Sequence, residues 1–196
     1  MAAVAARTGA GDAAGARGMT WRVVVTGPEC TGKTTLARAI AARLRAPWVP
    51  EAARAYAQAR GGVLSEADVE PIAKATRDAM QRALAAGPAV LVADTDLVST
   101  VVYARAYYGS CPHWVEEACR SQLGDLYLLC ATDLPWEADG VRDRPDERDR
   151  AAMHEAFAAT LCVLGARVVP VTGIGPARTA RAMDAVLAAS PTGSAP

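Results

Sequence analysis

Residues 22–44 read RVVVTGPECTGKTTLARAIAARL, and this stretch decides the fold. Val23, Val24, Val25 and Thr26 are β-branched and suit a pleated strand, whereas the Leu-, Ala- and Arg-rich run after Thr35 favours a helix. Between them Gly27-Pro28-Glu29-Cys30-Thr31-Gly32-Lys33-Thr34 matches G-x-x-x-x-G-K-[ST]. A loop of this kind turns backbone N–H groups inward around phosphate oxygens, and the helix N-terminus behind it adds a favourable dipole. Chance would produce the motif in roughly one chain of this composition per thousand, before the strand–helix context is required. Gly27, Glu29, Cys30, Thr31, Gly32, Lys33, Thr34 and Thr35 are therefore expected to cradle ATP. Lys33 is expected on the β/γ-phosphates, and the Thr34 hydroxyl on Mg²⁺.

Working outward, short apolar runs alternate with Ala-rich helical stretches. The strand candidates are 22–26, Trp48–Val49, Ala89–Ala93, Leu126–Cys130 and Arg167–Thr172. Their near-continuous apolar character suits strands covered on both faces. Helices are expected from the loop to Leu44, from Glu51 to Gly61-Gly62, and through Val69, Ile72, Thr76, Met80 and Leu84 with Ser65 or Asp68 as cap. Another follows Asp96 and ends at Gly109. Pro112, Pro145 and Pro176 read as helix openers, and Gly165 as a helix end. The alternation predicts an α/β fold of the P-loop NTPase type, a doubly wound parallel sheet of about five strands with helices on both faces.

Composition narrows the function. The chain has 196 residues, 52% hydrophobic, with equal numbers of acidic and basic residues. Zero net charge argues against broad binding to nucleic acid. No apolar run reaches 18 residues, so no membrane-spanning helix is expected. Four Trp, five Tyr and one Phe leave aromatic stacking platforms unexpected. Cys30, Cys111, Cys119, Cys130 and Cys162 form no C-x-x-C pair, which suits a reducing, cytoplasmic compartment. Residues 1–18 read as a disordered leader, with Met19 as a possible second start. Residues 19–189 read as one kinase-sized domain and 190–196 as a frayed tail. Lys33 and Lys74 are the only lysines, so no guanine-reading N-K-x-D exists. A motor or AAA-type ATPase would need a larger chain and a strand ending in adjacent Asp-Glu; Ala89–Ala93 ends instead in Asp94-Thr95-Asp96.

Ligands of a doubly wound sheet sit beyond the carboxyl ends of its strands. Glu51, Asp94 and Asp96 fall there. Asp94, directly at a strand end, is the better Mg²⁺ candidate beside Thr34. Glu51 and Asp96 are candidates to orient or deprotonate an acceptor hydroxyl. The competing assignment for each acid is a helix cap. Arg54, at i+3 from Glu51, either steadies that acid toward substrate or makes an ordinary helical ion pair. Residues 133–150 carry Arg142, Arg144, Arg148 and Arg150 among acids. They read as a lid that brings an Arg to the transferring phosphoryl group, Arg142 first and Arg148 second, or as a self-paired surface segment. Trp136 packs against substrate or is structural. Gly173-Ile174-Gly175 either passes beside the adenine or is a plain turn.

The combination G-P-E-C-T-G-K-T-T (27–35), E-A-A-R-A-Y (51–56), D-T-D-L-V-S-T (94–100), Y-Y-G (107–109) and L-P-W-E-A-D-G-V-R (134–142) resembles the ribosylnicotinamide kinase domain of NadR-type bacterial NAD-salvage proteins. The resemblance covers roughly residues 20–189. It implies transfer of the ATP γ-phosphoryl group to the ribose 5′-hydroxyl of nicotinamide riboside, giving the mononucleotide, with Glu51, Arg54, Tyr56, Asp96 and Trp136 toward the riboside. Well-known members carry a nucleotidyltransferase domain ahead of the kinase. With none in this sequence, the expected product is mononucleotide and not NAD. The alternatives are a kinase of another nucleoside or small metabolite, and a regulatory P-loop ATPase. Lys33→Ala is expected to lower ATP-dependent transfer by about a hundredfold or more, because a preorganised charge at the phosphates is lost. Steady-state rates of the purified variant check this, and near-native turnover would remove the phosphate site from the loop.

Overall fold

The computed structural model describes residues 19–136 and 146–191. Its elements run β1 (Trp21–Thr26), α1 (Lys33–Leu44), β2 (Trp48–Val49), α2 (Ala52–Ala59), a 3-10 turn (Glu66–Asp68), α3 (Val69–Ala85), β3 (Val90–Asp94), α4 (Leu97–Tyr108), α5 (His113–Ser121), β4 (Leu126–Cys130), α6 (Glu147–Val163), β5 (Val168–Val171) and α7 (Gly175–Ala189). The five strands form one sheet in the order β2-β3-β1-β4-β5. Every pairing is parallel. The expected doubly wound α/β architecture is therefore present.

Alternation along each strand sends side chains to two cores. Val24, Leu91, Ala93, Tyr127 and Leu129 pack with Val98 and Val102 of α4 and Phe157 and Leu161 of α6. Val23, Val25, Val92, Leu126 and Leu128 pack with Leu36 and Ile40 of α1 and Met183 and Val186 of α7. Both faces are buried, which explains the continuous apolar runs. Removing this much apolar surface from water is the main force holding the helices to the sheet.

Element ends differ from expectation where local partners decide them. β3 ends one residue later than expected, because Asp94 stays in the ladder opposite Val25. Ser65 and Asp68 are not alternatives. The Asp68 carboxylate accepts from the Ser65 N–H at 2.8 Å and the Ser65 hydroxyl at 2.9 Å, closing the turn that leads into α3. Gly109 and Gly165 do end helices with positive φ. Residues 1–18 and Pro145 lie outside the described residues. Among the described residues all five cysteines are free thiols, and no helix is long and apolar enough to cross a membrane.

The order of strands places β1 at the centre, with connections leaving to either side. That reversal opens a crevice at its carboxyl end, where Gly27 begins the phosphate loop. Gly27 has φ 130°, and a Cβ there would stand 2.8 Å from the Cys130 carbonyl oxygen of β4. Gly27→Ala is accordingly expected to destabilise the fold by at least about 1 kcal/mol. Urea denaturation reads this directly, and an unchanged midpoint would show that the close approach to β4 carries no cost.

Candidate active site

The phosphate loop is fixed by its own hydrogen bonds. The Thr31 hydroxyl donates to the Pro28 carbonyl at 2.8 Å, and the Lys33 ammonium donates to the same oxygen at 2.7 Å. Gly32, with φ 72°, turns the chain into α1. The first N–H groups of a helix have no intrahelical partner. Those of α1 begin at the loop residues that line a cavity of about 610 Å³. Glu29, Cys30, Thr31, Gly32, Lys33, Thr34 and Thr35 all line it, as the motif led one to expect. Gly27 lies behind the loop, against β4.

Asp94 sits below the cavity floor, 1% exposed. Its Oδ2 accepts from the Thr34 hydroxyl at 2.5 Å. Its Oδ1 is buried without a hydrogen-bond partner. Burial pushes the carboxyl up, while the Thr34 hydroxyl and the Lys33, Arg54 and Arg38 charges pull it down. A buried carboxylate oxygen without a partner costs free energy unless something binds it. Thr34 and Asp94 thus fit Mg²⁺, which is held by one or two protein oxygens together with substrate phosphates. No group of three or more His, Cys, Asp or Glu residues that could hold a metal is found among those described.

The far side of the cavity is built by α2 and α4. Glu51 precedes α2, and its side chain makes no capping bond to that helix. It pairs with Arg54 at 3.9 Å, and both line the cavity. The competing assignment as a cap therefore fails for Glu51. Arg38 also lines the cavity, held over the Trp48 ring at 4.5 Å. From α4 come Ser99, Thr100, Tyr103, Tyr107 and Tyr108. Tyr103 and Tyr107 stack with ring centroids 6.0 Å apart and planes 17° from parallel. The rings are few, but three fall on the last turns of one helix. Thr95 also lines the cavity, with φ 68°, a left-handed conformation that costs a β-branched residue roughly 1–3 kcal/mol.

Several expected site residues lie elsewhere. Asp96 is 7% exposed and does not line the cavity. Its Oδ1 accepts from the Val98 N–H at 3.0 Å, capping α4, and its Oδ2 accepts from the Tyr127 hydroxyl at 2.5 Å. Both oxygens are engaged below the sheet's end, so it is a buried cap and not an acceptor-facing acid. Tyr56 does not line the cavity either. Its hydroxyl donates to Asp68 at 3.0 Å and ties α2 to the turn before α3. Trp136 and Arg148 line a second, more open hollow with Arg150. Arg142 lies outside the described residues.

Sequence reading gave no role to Arg38, Ser99 and Arg178, and named Arg150 only as one of the lid arginines. Arg38 stands at i+4 from Thr34, so helical spacing alone puts it on the cavity side. Arg150 is 3% exposed and donates to the Leu134 carbonyl at 3.1 Å. Leu134 and Pro135 in turn lie on the phosphate loop. A Cβ on Gly32 would meet the Leu134 side chain at 2.9 Å, and the Cys30 thiol reaches the Pro135 carbonyl at 3.3 Å. Arg178 and its partner Asp133 gave no local signal.

Comparison with known proteins adds four findings. A family described as AAA domain matches residues 22–178. The trifunctional NAD biosynthesis/regulator protein NadR of Salmonella typhimurium is 27% identical over 143 residues, covering 71% of this chain and 35% of that protein. A crystal structure of NadR protein in complex with NR superposes with TM-score 0.73 at 26% identity, over 89% of this chain and 52% of the other. A second, with NAD and AMP-PNP, gives 0.69 at 26% identity, over 92% and 51%. The chain thus spans about a third of the curated relative and half of each solved one. The AAA description corrects the exclusion of that family from the sequence. The residue after Asp94 is nonetheless Thr95, so the adjacent Asp-Glu of a motor ATPase is not at the end of β3.

Burial, opposed by the Tyr127 and Val98 hydrogen bonds, pushes the Asp96 carboxyl up to about 6 from its ordinary 3.8. The folded protein therefore holds this proton more tightly than the unfolded chain. The resulting stabilisation is complete below about pH 4 and is lost as pH rises through 6, a change on the order of 3 kcal/mol. The difference in urea stability between the parent and Asp96→Asn should accordingly shrink or reverse between pH 4 and 7 in the direction favouring Asn. A difference that does not vary with pH would contradict the buried-cap assignment.

Proposed function

The chain belongs to the AAA-domain family of P-loop proteins, and we propose that it is an ATP-dependent kinase of nicotinamide riboside, acting on the ribose 5′-hydroxyl. One observation carries the reading. The phosphate cradle, the Glu51–Arg54 pair and the Tyr103–Tyr107 stack share a single cavity. A kinase needs a site for the nucleotide phosphates, a carboxylate for the acceptor hydroxyl and a surface for the rest of the acceptor, and each has a place here. The likeness to NadR, solved with NR and with AMP-PNP, supports both substrates.

In this reading the loop N–H groups hold the ATP phosphates. Lys33 exchanges the Pro28 carbonyl, at 2.7 Å, for phosphate oxygens. Thr34 and Asp94 hold Mg²⁺, which neutralises phosphate charge when bound. Glu51 accepts a hydrogen bond from the 5′-hydroxyl, aims its oxygen at the γ-phosphorus and takes its proton. Arg54, paired with Glu51 at 3.9 Å, orients it. The flat aromatic pair of α4 stacks the base of the riboside, and an offset stack of this kind is worth about 1 kcal/mol. The Leu134–Trp136 segment rests on the loop, and an arginine of the stretch that follows it is the candidate to reach the transferring phosphoryl group. Arg148 lines a hollow with Leu134 and Trp136, and Arg142, the other candidate, lies outside the described residues. Free thiols throughout suit a reducing cytoplasm.

The test is the full chain with nicotinamide riboside, ATP and Mg²⁺, followed by ADP release and product mass. The expected product is the mononucleotide, formed faster than from other nucleosides. Glu51→Gln should lower transfer by about a hundredfold with AMP-PNP affinity kept. Asp94→Asn should weaken the Mg²⁺ dependence of nucleotide binding and leave riboside affinity intact. ADP release that is indifferent to riboside would overturn the proposal in favour of an ATPase, and a better rate with another nucleoside would reassign the acceptor.

A further inference from the structure

Arg178, in the first turns of α7, is only 5% exposed. Its Nη2 donates to the Thr31 carbonyl of the phosphate loop at 2.9 Å. Its Nη1 donates to Asp133 Oδ1 at 2.7 Å and to the Gly173 carbonyl at 2.7 Å. The other oxygen of Asp133 accepts from the Gly173 N–H. Thr31 follows β1, Asp133 follows β4 and Gly173 follows β5, three neighbouring strands of the sheet. One guanidinium thus pins together the three loops at the carboxyl edge.

The contact with Thr31 has a consequence for phosphate binding. A peptide unit is planar and trans, so its C=O and N–H point in opposite directions. Holding the Thr31 carbonyl toward Arg178 turns the Gly32 N–H to the other side, where Thr31 and Gly32 line the cavity. On the next turn of the loop the Pro28 carbonyl is held in the same way by Thr31 and Lys33. Glycine at 32 would otherwise let that peptide rotate freely. We infer that Arg178 is a positioning residue for nucleotide binding, setting the direction of the Gly32 N–H through the Thr31 carbonyl and bracing the loop against the Asp133–Pro135 segment through Asp133. The planar fork of arginine reaches three acceptors at once, which a lysine ammonium on a flexible stem cannot hold in a fixed geometry. Asp133 leads directly into Leu134 and Pro135, which rest on Gly32 and Cys30. The segment after β4 and the phosphate cradle are therefore braced by the same side chain.

The inference rests on the proposed reading of the loop as the ATP-phosphate cradle, and its test needs no acceptor. Calorimetric titration of Mg·AMP-PNP into the full chain is compared with thermal unfolding of the ligand-free protein for Arg178→Met, Arg178→Lys and Asp133→Asn. Arg178→Met should weaken AMP-PNP binding by about tenfold or more, and Arg178→Lys should restore part of that loss. Asp133→Asn, on a side chain about a third exposed, should keep the fold and weaken binding by about threefold. A folded Arg178→Met that unfolds at lower temperature yet binds AMP-PNP like the parent would overturn the inference and leave a structural brace. If Arg178→Met does not fold, Asp133→Asn with unchanged AMP-PNP affinity overturns it equally. A chain that binds AMP-PNP but phosphorylates no riboside would end the proposed acceptor and leave this result standing.

Discussion

The hydrogen bond from the Thr34 hydroxyl to Asp94, 2.5 Å long, joins the first turn of α1 to the last residue of β3. Its geometry depends on the sheet register that sets Asp94 opposite Val25, immediately beside the strand from which the phosphate loop springs. Parallel pairing puts every strand's carboxyl end on one edge, so the residues after β1, β2, β3, β4 and β5 converge there. Glu51 arrives with β2, Asp94 with β3, Asp133 with β4 and Gly173 with β5. The site is thus a property of the edge, and the two apolar cores serve to hold that edge rigid.

Charge is distributed over the edge in a way that suits a polyanionic ligand. Lys33, Arg38 and Arg54 all act on Asp94 and offset the cost of burying it. The Oδ1 of Asp94 and the ammonium of Lys33 show two forms of readiness: an acceptor with no partner, and a donor lodged on the loop's own carbonyl. Asp96, two residues further on, shows the opposite arrangement. It is fully engaged with Val98 and Tyr127, and its charge is disfavoured by burial. Neighbouring acids of one short motif thus stand differently, Asp94 with one oxygen unpartnered and Asp96 with both engaged.

What the sequence makes legible is local. The phosphate loop announces itself, because strand, loop and helix are contiguous and each residue type has one reason to be there. Counting to strand ends brings Glu51 to the cavity and Asp94 beneath Thr34. Asp96 is misread by the same count, because the direction of a side chain just past a strand depends on Tyr127, 31 residues away. The aromatic wall escapes composition, since ten rings over the whole chain say nothing of three on one helix, although Tyr103 and Tyr107 at i, i+4 carry the signal. Arg178 has no local sign at all, its partner Thr31 lying 147 residues distant. Tyr56 is misplaced for a related reason: helical spacing gives its face, but only Asp68 explains which neighbour claims its hydroxyl.

The central claim is that one cavity holds both the phosphates and the acceptor hydroxyl, with Glu51 between them. A crystal structure of the chain with nicotinamide riboside and AMP-PNP together tests it most directly. The account predicts the 5′-oxygen within hydrogen-bond reach of a Glu51 carboxylate oxygen and about 3–3.5 Å from the γ-phosphorus, with the base against Tyr103 or Tyr107. A riboside bound outside this cavity, or one whose 5′-oxygen faces away from Glu51 and the phosphate loop, would contradict it.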